Sequence, residues 1–233
     1  MTRSLTSTFL SALASSAVML AALGASSPAR ANSERMVSYE VTVTNLTGKQ
    51  QFTPLLLVTH RPELSLFSLG QPASPELTTL AEEGNVAPLR AVLQAHRHVS
   101  ATVAGNSLLN PGNSVTFQIQ GHPGRDRLSL AAMLIPTNDA FVALDGVDLP
   151  HPGRSVTLTA VAYDAGSEVN DELCSSIPGP MFVECGGSGG GAKVGGGEGF
   201  VHVHRGMHGI GNFKPSDRDW RNPVAEIRIR ALR

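Results

Sequence analysis

Between Met36 and Leu46 the chain reads MVSYEVTVTNL, with Val37, Tyr39, Val41 and Val43 separated by Ser38, Glu40, Thr42 and Thr44. A period of two matches the pleat of a β-strand, whose successive side chains point to opposite faces. One face of such a strand must be covered, so the chain is committed to packing it against a second layer. The run TPLLLVTH at 53–60 lacks the alternation and is consistent with a strand buried on both faces or packed at a sandwich core. Further β-branched or alternating runs follow at 113–121, 126–136, 154–164, 199–206 and 223–232, with Gly, Pro, Asn or Asp between them. The segment from Ser74 to His98 differs in kind. Its Ser-Pro-Glu start suits a helix N-terminus, Gly84-Asn85 breaks it, and a second helical piece spans Pro88 to His96. The expected fold is all-β, an antiparallel sandwich interrupted by one short helical insertion.

The first 31 residues read as a leader rather than as part of this fold. Arg3 precedes a small, apolar stretch from Phe9 to Leu23, and Ala29-Arg30-Ala31 has the A-x-A pattern of a signal-peptidase site. Cleavage after Ala31 predicts a secreted or periplasmic protein whose mature chain carries no membrane span. Of 18 basic residues, Arg3 and Arg30 leave with the leader; the remaining 16 face 19 acids, a net charge of −3. No basic tract is left to follow a phosphate backbone, which argues against nucleic acid as a partner. Cys174 and Cys185 are the two cysteines. In an exported protein an even pair at this spacing predicts a disulfide closing a short loop. Directly after it, residues 186–199 hold nine glycines in fourteen positions and read as a flexible loop.

Two clusters carry chemistry. In AYDAGSEVNDEL (162–173), Asp164, Glu168, Asp171 and Glu172 fall within nine residues at the end of a strand. Asp139 follows another strand end, and Asp145 lies six residues beyond it. If both strands end at the same pole of a sandwich, Asp139, Asp164 and Glu168 can meet. Three carboxylates with backbone carbonyls and water suit Ca2+, which takes six to eight oxygens. Spacing alone leaves solvated loop acids, a metal site and an acid/base pair all open. The scarcity of sugar-stacking aromatics, one Trp and two Tyr, weighs against the last. Asp145 and Asp171 are candidate outer or bridging acids, and Glu172 is expected to face solvent.

In GFVHVHRGMHG (199–209), strand geometry would put Phe200, His202 and His204 on one face, with His208 in the turn beyond. Two imidazoles at i, i+2 plus a third form a donor set for Zn2+ or Cu2+; solvent-facing or hydrogen-bonded histidines are the alternative. No G-x-S-x-G elbow is present and the cysteines are used as a pair, so nothing marks a hydrolytic nucleophile.

PTNDAFVALD and YDAGSEVNDE, in that order, resemble the paired signatures of the spondin domain, the N-terminal module of F-spondin and mindin that also stands alone in exported bacterial proteins. YEVTVTNLTGKQQFTPLLLVTH, SLGQPASPEL and DWRNPVAEIRIR are similar as well, extending the likeness over roughly residues 36–231. The resemblance implies a C2-like antiparallel sandwich with Ca2+ held by loop carboxylates at one end, and a role in adhesion or matrix contact. It maps the ligand positions onto Asp139, Asp164 and Glu168, with Ala140 in place of the family's aromatic and Glu168 in place of a shorter Asp. The expected protein is thus an exported, non-enzymatic Ca2+-binding module for an extracellular or envelope protein or matrix ligand. A Zn2+ or Cu2+ metalloprotein or metalloenzyme centred on His202, His204 and His208 is the alternative.

Overall fold

The computed structural model describes residues 35–179, 182–187, 190–192 and 195–232. The leader and the cleavage position after Ala31 lie outside the described residues. In chain order the elements are β1 (Val37–Asn45), β2 (Gln51–Phe52), β3 (Leu56–His60), α1 (Pro75–Glu83), α2 (Ala87–Ala95), β4 (Val99–Ala104), β5 (Ser114–Gly121), β6 (Arg127–Ile135), β7 (Ala140–Asp148), β8 (Ser155–Asp164), β9 (His202–Val203), α3 (Pro215–Arg218) and β10 (Ala225–Ala231). Neighbouring strands run β4-β3-β6-β7-β8-β10-β1-β5, with β2 added to β6 and β9 to β8, and every pair is antiparallel. This is the all-β fold with a small helical insertion that the strand pattern predicts.

The sheet folds over on itself at β8. Ser155–Ala160 pair with β10, whereas Val161–Asp164 pair with β7. One strand therefore belongs to two layers. The inner faces of those layers meet in a core where Tyr39, Val41 and Val43 of β1 and Ile227 and Ile229 of β10 pack opposite Leu57 of β3 and Leu128 and Leu130 of β6. The alternation in the sequence of β1 is the alternation of this face.

A second core explains the runs that do not alternate. Leu77, Leu80 and Ala81 of α1 and Leu89 and Leu93 of α2 cover the outer face of β3, β6 and β7 at Leu56, Val58, Ala131, Phe141 and Ala143. β3 and β6 are thus apolar on both sides. Helix α1 begins and ends where its sequence says it should. The Ser74 hydroxyl accepts from the Leu77 N–H at 3.2 Å, and Gly84 closes the helix at φ +68° with its N–H on the Leu80 carbonyl.

Three elements depart from expectation. β4 is half-buried along its whole length, and its Ser, Thr and Ala residues carry too little alternation to mark an edge strand. β7 starts immediately after Asp139, so Asp145 lies on a strand and not in the loop. The strand expected at 199–206 contracts to His202–Val203, with Val201 buried and Val203 exposed. The disulfide forms as expected between Cys174 and Cys185, Cα to Cα 5.5 Å. Among the described residues no helix is long and apolar enough to cross a membrane.

Because Leu80 is fully buried between α1 and the sheet, Leu80→Ala should lower stability by about 2–5 kcal/mol. Urea unfolding is the check: the midpoint should fall with the slope unchanged, as expected for a lost contact in an intact fold.

Candidate metal centre

Asp139 closes the β6–β7 loop, and Asp164 ends β8. The register places Ala140 opposite Asp164, and the Ala165 N–H reaches the Asp139 carbonyl at 3.2 Å. The two strand ends thus meet at one pole of the sandwich, with the loop after Asp164 folded over them. Asp139 and Glu168 have no exposed surface and Asp164 has 1%. Asp139 Oδ2 accepts from the Ser167 N–H at 2.8 Å, the Ser167 hydroxyl at 3.1 Å and the Glu168 N–H at 3.0 Å. Asp139 Oδ1 is buried and, among the described residues, accepts from no donor. Asp164 Oδ1 accepts from the Gly166 N–H and Oδ2 from the Asn170 side chain, both at 2.8 Å. Among the described residues no Lys or Arg forms an ion pair with Asp139 or Asp164.

Burial first, and then the charge of Asp164, push the Asp139 carboxyl up to about 6 in spite of its backbone donors. Burial likewise raises Asp164, against the pull of Asn170, the Gly166 N–H and His202. Two carboxylates share a dry site with no Lys or Arg paired to them among the described residues.

The histidine cluster lies on the same carboxylate. β9 pairs with the end of β8 so that His202 stands opposite Asp164. His202 Nε2 lies 3.6 Å from Asp164 Oδ1 and 3.5 Å from Glu198 Oε2. His204 Nε2 lies 3.7 Å from Asp164 Oδ2. The tautomers divide the two rings. A carbonyl can only accept, so the 3.1 Å contact to Val203 O puts a proton on His202 Nδ1. In His204 the Gly206 N–H donates to Nδ1 at 3.0 Å, so the neutral ring carries its proton on Nε2, facing Asp164. Burial above all, then His202, His208 and Arg205, bring His204 down to about 4, and its ring stacks on Trp220 at 4.9 Å. It is neutral at physiological pH. For His202, burial works in the opposite sense to the outcome; the Val203 carbonyl and the charges of Asp164 and Glu198 outweigh it and raise the imidazole. His208 is exposed, and its backbone N–H is turned to Glu172. The three imidazoles do not converge on one point.

Among the described residues, Asp164, Glu198 and His202 bring one ligand atom each within 4.8 Å of one another. Asp139 and Glu168 border this group without joining it at that distance. Glu198 has no conspicuous place in the sequence, since it stands in a glycine run. Its one signal is a position four residues before His202. Glycine places it there. Gly199 donates to the Gly166 carbonyl at 2.8 Å, Glu168 bridges Gly195 and Gly196, and a Cβ at Gly166, φ +68°, would overlap the Phe200 carbonyl. The described part of the glycine-rich stretch is laid along the acidic loop.

The remaining acids are engaged elsewhere. Asp145 accepts from the Ser65 hydroxyl, from the Leu66 N–H at 3.1 Å and from the Ser129 hydroxyl at 2.6 Å. Six residues along β7 separate it from Asp139 by about 20 Å. Asp171 accepts from Asn138, the Leu173 N–H and the Ser176 hydroxyl and organises its own loop. Glu172, expected to face solvent, is buried instead. Its carboxylate gathers the N–H groups of His208, Gly209 at 2.7 Å and Ile210 at 3.0 Å, and its backbone sits at φ +56°. Three consecutive donors compensate its charge. The sequence hides this, because the donors lie 36 and more residues away.

With this geometry in view, comparison with known proteins is specific. A family model described as Spondin_N matches residues 43–173, which include Asp139, Asp164 and Glu168 and stop short of Glu198 and His202. Spondin-2 of Rattus norvegicus is 25% identical over 125 residues, 51% of this chain and 38% of that protein. The chain spans well under half the length of that relative.

Glu172→Gln would present an amide donor to the N–H groups the carboxylate now accepts from. The exchange should cost about 1.5–3 kcal/mol, the range for bonds to a charged group. Amide exchange at His208, Gly209 and Ile210 should accelerate while that of β1 and β10 follows only the global change.

Proposed function

The chain belongs to the spondin N-terminal domain family, and on that premise we propose that it is an exported Ca2+-binding β-sandwich module that acts by binding an extracellular or envelope partner and not by catalysis. The observation that carries the metal is Asp139 Oδ1, a fully buried carboxylate oxygen with no donor among the described residues, beside a second buried carboxylate that pairs with no described Lys or Arg. Leaving charge dry and uncompensated is costly. A hard divalent cation removes the cost, and Asp139 and Asp164 would hold it, with Glu168 as the third carboxylate. Ca2+ suits flexible loops that offer oxygen and no thiolate. Bound there, it supplies positive charge that ties the β6–β7 loop to the loop after β8. Export rests on the leader ending at Ala31 and agrees with a disulfide, which persists in oxidising compartments.

Thermal melts with Ca2+ or EGTA test this reading. At 100 times Kd the ion should add about 2.7 kcal/mol, a rise in Tm of about 5–10 °C. Asp139→Asn should abolish the rise while leaving the EGTA midpoint unchanged or higher, since it removes like charge from the pole. The sign with pH follows from the raised Asp139 carboxyl. The folded protein without metal holds this proton up to about pH 6, so its stability should fall as pH rises from about 4 to about 6, over the interval between the unfolded and folded values. Ca2+ needs the ionised form, so its effect on Tm should fade as pH drops through that same interval. A melt indifferent to Ca2+ at pH 7.5 overturns the metal reading.

A further inference from the structure

We infer that Asp164, Glu198 and His202 form a second cation site, for a first-row divalent ion such as Zn2+, which shares Asp164 with the carboxylates assigned to calcium. His202 Nδ1 donates to the Val203 carbonyl, which leaves the Nε2 lone pair of the neutral ring facing Asp164 Oδ1 at 3.6 Å and Glu198 Oε2 at 3.5 Å. Both separations are too long for a good hydrogen bond, and Nε2 is buried without a hydrogen-bond partner. Three acceptors thus face one another around a point that needs positive charge. The two distances from Nε2 match a metal. Ligands about 2.0–2.2 Å from one tetrahedral ion stand about 3.3–3.6 Å apart.

The surroundings suit ligation. A backbone carbonyl holding the far nitrogen of the imidazole is the usual way a ligating histidine is oriented. Asp164 is fixed by the Gly166 N–H, by Asn170 and by the proton His204 turns toward its second oxygen. Nitrogen with carboxylate oxygen is a donor set for a borderline ion such as Zn2+, whereas Ca2+ prefers oxygen alone. The side chains of Glu198 and His202 are 35% and 22% exposed. The site would fasten the glycine-rich loop at Glu198 to the end of β8. Two of its three ligands fall outside the stretch matched by the family model.

The test uses full-length chain purified without a His tag, stripped with chelator, and titrated with Zn2+ against a chromophoric competitor, with Co2+ as a spectroscopic probe. One equivalent of Zn2+ and the visible bands of four-coordinate Co2+ are expected. His202→Gln and Glu198→Gln should each weaken Zn2+ by at least about tenfold and erase the Co2+ bands, with melting midpoints in chelator close to wild type. Zn2+ uptake that survives His202→Gln, as it would if the surface pair His96 and His98 were binding it, overturns the proposal; so does wild-type protein that takes up no equivalent, which would leave a proton between His202 and the carboxylates. The calcium reading fails or stands separately. Asp139→Asn should spare Zn2+ uptake, and His202→Gln should spare the rise in Tm with Ca2+.

Discussion

A single strand carries two sets of hydrogen bonds in this molecule, and the rest of the structure follows from it. β8 pairs with β10 through Ala160 and with β7 from Val161 onward. A ladder that changes partner midway must bend, and the bend turns one continuous sheet into two facing layers. It also carries the end of β8, with Asp164, to the pole where the β6–β7 loop and β9 arrive. The core and the candidate metal centre are consequences of one topological choice.

Electrostatics at that pole are the reverse of those elsewhere in the fold. Glu184 has Arg218, Glu40 has Arg230, and Glu172 has three backbone donors. Asp139 and Asp164 are as deeply buried as any of these and, among the described residues, have only backbone, amide and hydroxyl donors and imidazoles. Of the imidazoles, His204 is held neutral by burial and accepts a backbone N–H on Nδ1, whereas His202 donates from Nδ1 and turns Nε2 to two carboxylates. Two histidines separated by one residue thus receive opposite chemical roles from one carbonyl and one amide. Sequence spacing treats them as equivalent. Hydrogen-bond direction does not.

Much of the architecture was legible because burial imposes period and composition on the chain. β1, β5 and β10 have one dry face and alternate; β3 and β6 have two and do not. The helical insertion announces itself through Ser74-Pro75 and Gly84. What escaped were the elements whose environment imposes no such pattern. β4 is an edge strand in half-buried surroundings, and β7 was overshadowed by the acids at its two ends. Asp139, Asp164 and Glu168 could be placed near one another by reasoning about strand ends. Glu198 could not, since glycine-rich sequence carries no register and reveals nothing about what it passes.

The amino-acid sequence by itself determined the class of fold, the two helices of the insertion, the pairing of Cys174 with Cys185 and the membership of the family. Each is set locally, by periodicity, by capping residues or by a short motif. Tertiary structure alone decided that the acidic loop and the histidine strand share one carboxylate, that Asp145 and Glu172 serve the scaffold, and that His202 and His204 both turn Nε2 to Asp164. Those outcomes depend on where a carbonyl, N–H or carboxylate points in the folded chain. Direction in space is fixed only when strands far apart in the chain have paired.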